Sequence, residues 1–256
     1  MLNFNHRPTL SEKISDLIDM GIVDNEKQQK ARTYLGASRL GVSCDRALQY
    51  EHLKTPKDEG RDFSGKLLRI FQAGHVFEDL AIKWLRNSGF DLYTEKQDGK
   101  QFGFSAVDGR IKGHVDGIIN DAPPEFEMRF PALWEAKSLN ARSWKDTVRR
   151  GVAISKPVYA AQMAIYQAYM EPIIPNISKC SALFTGINKD TAELYFELVP
   201  FNAELAQKMS DKAVKILRAC DADDLLPRIT NDSTFFECKC CSWQDRCWER
   251  HNEYTK

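Results

Sequence analysis

Asp116 and the run Glu135-Ala136-Lys137 are residues whose types and spacing suit metal-assisted hydrolysis of a phosphodiester. Residues 110 to 120 read as a strand with Lys112, His114, Asp116 and Ile118 on one face and Ile111, Gly113, Val115, Gly117 and Ile119 on the other. Asp116 is thereby set mid-strand, where an aspartate is a poor strand former and costly to bury unless it is paired or bound to a cation. The next apolar segment, Pro131 to Ser138, puts Glu135 and Lys137 on one face. An acidic residue, any residue, then lysine also occurs at Asp98-Gly99-Lys100 and Glu237-Cys238-Lys239, but only Glu135-Ala136-Lys137 lies in an apolar strand shortly after an aspartate-bearing one. Two carboxylates of this kind hold Mg²⁺ or Mn²⁺, hard cations that take oxygen ligands. Such an ion polarises the phosphoryl oxygen and lowers the pKa of a bound water. Lys137 would orient that water and offset the developing negative charge.

Other groups extend the set. His75 lies on a helical pattern with Glu78 and Asp79 three and four residues on. Beside a carboxylate site its imidazole would favour Mn²⁺ over Mg²⁺, although a histidine on a helix is commonly a satisfied surface or core group. Gln162 and Tyr166, one turn apart, could hold a nucleotide by hydrogen bonding and stacking, or simply pack. Between Arg129 and Lys156 seven basic residues, among them Arg142, Lys145, Arg149 and Arg150, face two acidic ones. This local surplus suits phosphate neutralisation, and Trp144 within it could stack on a base or be buried. Cys238, Cys241 and Cys247 have the spacing C-x2-C-x5-C. Three thiolates are one short of a zinc or cubane site, and Cys44, Cys180, Cys220 and Cys240 are all available as the fourth.

The elements that must position these groups follow from hydrophobic periodicity. Apolar residues from Ser64 to Ser88 recur at helical spacing until Gly89. Strands are expected at about 90 to 96, 101 to 107, 110 to 120 and 131 to 138, with Asp108-Gly109 a turn between the second and third. Helices are expected at 140 to 150, 157 to 170 and 202 to 220, strands at 179 to 187 and 192 to 199, and two short polar helices within 10 to 34. Ser43 is expected to cap a helix carrying Arg46, Leu48 and Tyr50. This order predicts an α/β fold with a mixed central sheet flanked by helices.

Composition bounds the rest. The 256 residues, 43% hydrophobic and 28% charged, fall in the ordinary globular range. Lysine plus arginine equals aspartate plus glutamate at 36 each, so any polyanionic partner is held by a local patch rather than a global field. No apolar run approaches the roughly 20 residues of a membrane helix, and Met1 to Arg7 does not read as a signal peptide, so a cytoplasmic protein without a membrane partner is expected. There, clustered cysteines point to metal or cluster ligation more than to disulfides. Gly60 to Leu67 nearly spells a phosphate-binding P-loop, but Leu67 stands where Ser or Thr should hold Mg²⁺.

Taken together, Cys44 in Gly41-Val42-Ser43-Cys44-Asp45-Arg46, His75, Asp116 in Gly113-His114-Val115-Asp116-Gly117, Glu135-Ala136-Lys137, Gln162 through Tyr166 and the terminal cysteines resemble the RecB-type PD-(D/E)xK nucleases that carry an iron-sulfur cluster. Those include exonucleases of CRISPR adaptation and AddB-type nuclease domains. The resemblance implies a restriction-endonuclease-like nuclease domain over 41–256 behind an N-terminal helical extension, 1–40. A 4Fe-4S cluster on Cys44, Cys238, Cys241 and Cys247 would join the two chain ends through the segment 238–247. It further implies metal ligation by His75, Asp116, Glu135 and the Ala136 carbonyl, a catalytic Lys137, and Gln162 and Tyr166 completing the site. A metal-dependent DNA exonuclease acting on ends or single strands is the activity implied, in repair or recombination, with a helicase or recombination protein as partner. The acidic, proline-containing stretch from Asp121 to Glu127 and the surplus Cys240 depart from the pattern. The competing readings are a non-catalytic, cluster- or zinc-stabilised DNA-binding module and a redox protein, the latter without any flavin or nicotinamide fingerprint.

Overall fold

Ser64 accepts the Leu67 N–H in its side chain and so starts the long helix α3, Gly65–Asn87. The computed structural model in which this is seen describes residues 7–29 and 32–249. Residues 1–6 and 30–31 of the expected extension and 250–256 of the expected nuclease domain lie outside the described residues. Ahead of α3 come α1 (Leu10–Gln28), a short strand β1 (Leu35–Gly36) and α2 (Asp45–His52). After it the chain runs β2 (Asp91–Tyr93), β3 (Gly103–Ala106), β4 (Ile111–His114), β5 (Gly117–Asp121), β6 (Ala132–Leu139), α4 (Ala141–Arg150), α5 (Val152–Ser155) and α6 (Pro157–Met170). β7 (Ala182–Asn188), β8 (Leu194–Val199), α7 (Ala203–Asp221), α8 (Phe236–Lys239) and α9 (Gln244–Glu249) complete it.

The molecule is mixed α/β, with two mixed sheets flanked by helices. One sheet has the order β1-β4-β3 and the other β2-β5-β6-β7-β8. The expected strand 110–120 is therefore a correction: it is two strands in two sheets. Val115 still donates its N–H to Phe102 O on the β3 side, whereas Asp116 turns its carboxylate to the Ala136 N–H at 2.9 Å. The chain changes sheets at the aspartate, the residue least suited to a continuous strand. A second correction concerns α1, which is one helix rather than two: the Thr9–Glu12 capping box starts it, and Gly21 is absorbed within it. Ser43 is not the cap of α2 either, since Cys44 holds that position and the Ser43 hydroxyl binds Glu237.

Within the larger sheet, β6 and β7 are parallel, with Glu135 beside Phe184 and Lys137 beside Gly186. The pleat sends Trp134 and Ala136 into a core with Ala81 and Leu85 of α3, while Leu133 packs with α6 and α7 residues on the other face. α6 is apolar on nearly all sides, as a helix enclosed by the fold must be. Leu35, Ala37 and Leu40, assigned from sequence to the extension, lie in the main core. Gly41 allows the close approach that follows, because a Cβ there would meet Val158 Cα at 2.7 Å. Among the described residues no helix is long and apolar enough to cross a membrane.

The carboxyl-terminal arm returns to α2 and the loop after it. Gln49 accepts the Leu226 N–H at 2.9 Å and donates to Asp224 O at 2.6 Å. Trp243 donates its indole N–H to Thr55 O at 2.9 Å, and Asp58 N–H reaches Ser242 O at 2.9 Å.

Candidate active site and cysteine cavity

β6 delivers Glu135 and Lys137 to the α6 side of the sheet, and the junction between β4 and β5 delivers Asp116. Lys137 Nζ contacts Glu135 Oε1, lies 3.6 Å from Asp116 Oδ2 and donates to Ala136 O at 3.0 Å. Glu135 is wholly buried; Gln162 donates to its Oε1 at 2.6 Å, and its Oε2 has no hydrogen-bond partner. A buried carboxylate oxygen without a donor is expensive unless a cation or proton serves it. Burial first, then the Asp116 charge, pushes the Glu135 carboxyl well above its usual range, with Lys137 opposing. For Lys137 burial acts downward, but the Asp116 and Glu135 charges outweigh it and raise its pKa.

Two further residues belong to this cluster. Glu78 of α3 is pushed up to about 7 by burial, then by the Asp116 charge, with Lys137 opposing. Tyr159 presents its ring to the Lys137 ammonium at 5.6 Å and stacks on Phe184. Helical spacing placed Glu78 beside His75 but said nothing of which one turns inward. His75 is the outward one: its side chain is 80% exposed, with Nδ1 3.9 Å from Glu78 Oε2. Tyr166 is buried beneath the site, its hydroxyl pKa raised by burial and then by the Glu135 and Asp116 charges. The structure thus brings Asp116, Glu135, Lys137, Ala136 O, Gln162 and Tyr166 together, and leaves His75 at the rim.

Arg142, Lys145, Arg149 and Lys156 line one cavity of about 580 Å³ with Asn140 and Asp146. Asn140 caps α4 by accepting the Ser143 N–H at 2.8 Å. Asp146 binds Arg150 at 2.8 Å and Arg149 at 3.2 Å, whereas Arg142 and Lys145 are exposed and carry no ion pair among the described residues. Trp144 is half-buried rather than displayed. On the opposite sheet face, Trp84, Phe90, Phe126 and Phe196 line an apolar cavity of about 400 Å³ that shares none of these charged groups.

Cys44, Cys238, Cys240, Cys241 and Cys247 all line a cavity of about 380 Å³ between α2 and the carboxyl-terminal arm. Burial raises the thiol pKa values of Cys238 and Cys241, and the charges of Cys44 and Cys247 add to both. Cys240, on the same cavity, is exposed. Cys180 is buried in the sheet region and Cys220 is half-buried on α7. Arg46 donates to Cys247 Sγ at 3.5 Å.

Among the described residues the donor types at the two sites, though not their arrangement, are those an inorganic group takes. Three carboxylates and a carbonyl suit a hard divalent cation, and four neighbouring thiols suit a soft one or a cluster. Among the described residues no group of three or more His, Cys, Asp and Glu side chains is arranged as a ready metal site. At the carboxylates the Lys137 ammonium lies between Glu135 and Asp116.

No family model matches the chain, and no curated protein matches it significantly in sequence. Among solved structures, the crystal structure of SSO0001 is similar with a TM-score of 0.50 at 15% identity, over 94% of this chain and 98% of that one. The alkaline exonuclease LHK-Exo from Laribacter hongkongensis gives 0.49 at 15% identity, over 75% of this chain and 90% of its own. Its complex with dAMP gives 0.49 at 15% identity, over 75% of this chain and 89% of that one. At this identity the likeness to SSO0001 is one of fold.

Proposed function

We propose that this chain is a metal-dependent deoxyribonuclease of restriction-endonuclease-like fold, an exonuclease by its resemblance to the RecB type, with a structural 4Fe-4S cluster. The observation that carries the reading is Glu135: a fully buried carboxylate, one oxygen held by Gln162 and Lys137 and the other without a partner, beside Asp116. Asp116, Glu135 and the Ala136 carbonyl would hold Mg²⁺ or Mn²⁺, with Glu78 as a further donor and His75 reaching in from the rim. When bound, the ion supplies Lewis acidity and an acidified water.

The chain's own residues account for the remaining work. Gln162 holds one Glu135 oxygen and so would leave the other free for a cation. Lys137, which contacts Glu135, would neutralise the phosphoryl oxygens and hold the attacking water. That water's oxygen bonds to phosphorus as the bond to the departing sugar oxygen breaks, and the proton the water gives up ends on the departing oxygen. Arg142 and Lys145, free of intramolecular ion pairs among the described residues, take neighbouring phosphates. Cys44, Cys238, Cys241 and Cys247 would hold the cluster and pin the carboxyl-terminal arm to α2.

The direct Lys137–Glu135 ion pair favours one second reading, a DNA-binding module without catalysis. Mn²⁺-supported degradation of labelled free-ended DNA by the wild type, lost in Lys137→Ala and in Asp116→Ala, supports the nuclease. DNA binding without any strand loss would support the module.

A further inference from the structure

A cavity of about 250 Å³ lies between the first turns of α3 and β6, lined by Lys66, Arg69, Gly74, Phe77, Ser138 and Lys189 among others. Three cations face it and no carboxylate does. Two of them are held from behind: Arg69 is gripped by Asp19 of α1 at 3.0 Å, and Lys189 lies 2.7 Å from Asp190, whose other oxygen takes the Ala141 N–H at 2.8 Å. Lys66 is exposed and has no ion pair among the described residues. Like charges collected in one concavity repel, so the arrangement favours an anion placed among them.

Its position relative to the carboxylates is set by strand pairing. β5 leaves β6 after Trp134, so residues 135 to 139 are paired with β7 alone. On the open edge the Ala136 N–H is taken by Asp116, and Ser138 is the next residue with the same orientation. α3 crosses this edge at Gly74, where an added Cβ would come to 3.4 Å from Ser138 Oγ. Ser138 follows Lys137 in the chain but, by the pleat, turns to the α3 face rather than the α6 face that Lys137 takes, while Gly74 lies one helical turn before Glu78.

We infer that this groove is a second phosphate-binding wall of the substrate path, in which Lys66 and Lys189 supply the charge and Ser138 a hydroxyl, for a phosphodiester beyond the one that is cut. The inference rests on the nuclease reading and adds a place for the strand on the α3 side, apart from the basic cavity of α4. It also gives α1 a part: Asp19 keeps Arg69 aimed at the groove.

The test is the salt dependence of binding of a fluorescent single-stranded oligodeoxynucleotide, in chelator, by wild type, Lys66→Ala, Lys189→Ala and the double variant. Lys83→Ala, an exposed lysine farther along α3 and outside the groove, serves as control. Each groove lysine should lower the slope of log K against log salt by about 0.7, making the affinity loss between 50 and 200 mM salt roughly 2.6-fold smaller, and the double variant should show both effects. The control should match wild type. Slopes unchanged in the groove variants, or lowered equally by Lys83→Ala, would overturn the wall. Cleavage is scored separately with Mn²⁺: a wild type that binds with these slopes but never cuts keeps the wall and refutes the nuclease, whereas a protein that cuts with unaltered slopes in the lysine variants does the reverse.

Discussion

Glu135, Lys137 and Glu78 carry the sharpest consequences at the scale of single residues. Breaking a buried ion pair from one side typically costs about 3 to 5 kcal/mol, because the surviving charge is left without compensation. Lys137→Ala should therefore lose stability of that order in urea denaturation, and Glu135→Gln/Lys137→Met should recover most of it; equal losses in both would show that the pair is not an energetic unit. Glu78 gives a pH signature. A carboxyl raised from 4.5 to about 7 binds a proton in the folded state that the unfolded chain has released, so its contribution is present below about 4.5 and is lost as pH rises through about 7. In chelator, the Tm of Glu78→Gln relative to wild type should rise between pH 5 and 8, and Mn²⁺ should stabilise wild type more at pH 8 than at pH 6. A Tm difference flat across that range would remove Glu78 from the cluster. Much of this was legible beforehand: an aspartate in an apolar strand and a carboxylate two residues from a lysine demanded partners, and the structure sets them against one another. Glu78 was not, because helical spacing gives a shared face but not its rotation toward the sheet; Tyr159 carried no signal beyond an aromatic on an apolar helix.

Elements show where hydrophobic pattern informs and where it stops. The α3 and α6 patterns gave helices within a residue or so of those observed, since burial on one face or all round imposes the helical period. Residues 110 to 120 misled because alternation persists through Val115 and Asp116 while the hydrogen-bond partner changes from Phe102 to the β6 edge. Periodicity records which side is buried and is silent on which sheet does the burying. Close approaches are equally hidden. Gly41→Ala would drive a methyl into the Val158 backbone and should cost about 1 to 3 kcal/mol, read as a lower denaturation midpoint; an unchanged midpoint would mean that the loop can retreat from α6. At the basic helix, Asn140→Ala should cost about 1 kcal/mol through loss of the α4 cap. It should also weaken DNA binding, since Arg142 and Lys145 lie in the first turns that the cap holds.

For the whole molecule, exact charge balance confines polyanion binding to local cavities, so affinity should fall steeply with salt although the protein is neutral overall. Cysteine spacing left the fourth thiol open, and the joining of chain ends came from the resemblance alone; the structure gathers Cys44, Cys238, Cys240, Cys241 and Cys247 around one cavity and leaves Cys180 and Cys220 elsewhere. Leu35, Ala37 and Leu40, just ahead of the expected boundary at residue 40, are too few to make a periodic pattern yet are buried by tertiary contact. Anaerobic purification should yield a brown protein with iron and acid-labile sulfide. Cys44→Ser should lose both and free the arm to proteolysis, while Cys240→Ser keeps them; colour retained in Cys44→Ser would remove that residue from the ligand set. All of this is secondary to the carboxylate cluster. The most direct measurement is a time course of nucleotide release from free-ended and covalently closed DNA, with Mn²⁺ and with chelator, by wild type and by Glu135→Gln. Wild type with Mn²⁺ alone should release nucleotides from free ends, and a Glu135→Gln protein that is folded and still binds DNA should release none. Wild-type turnover by that variant, or intact DNA under every ion with a well-folded wild type, would contradict the nuclease reading.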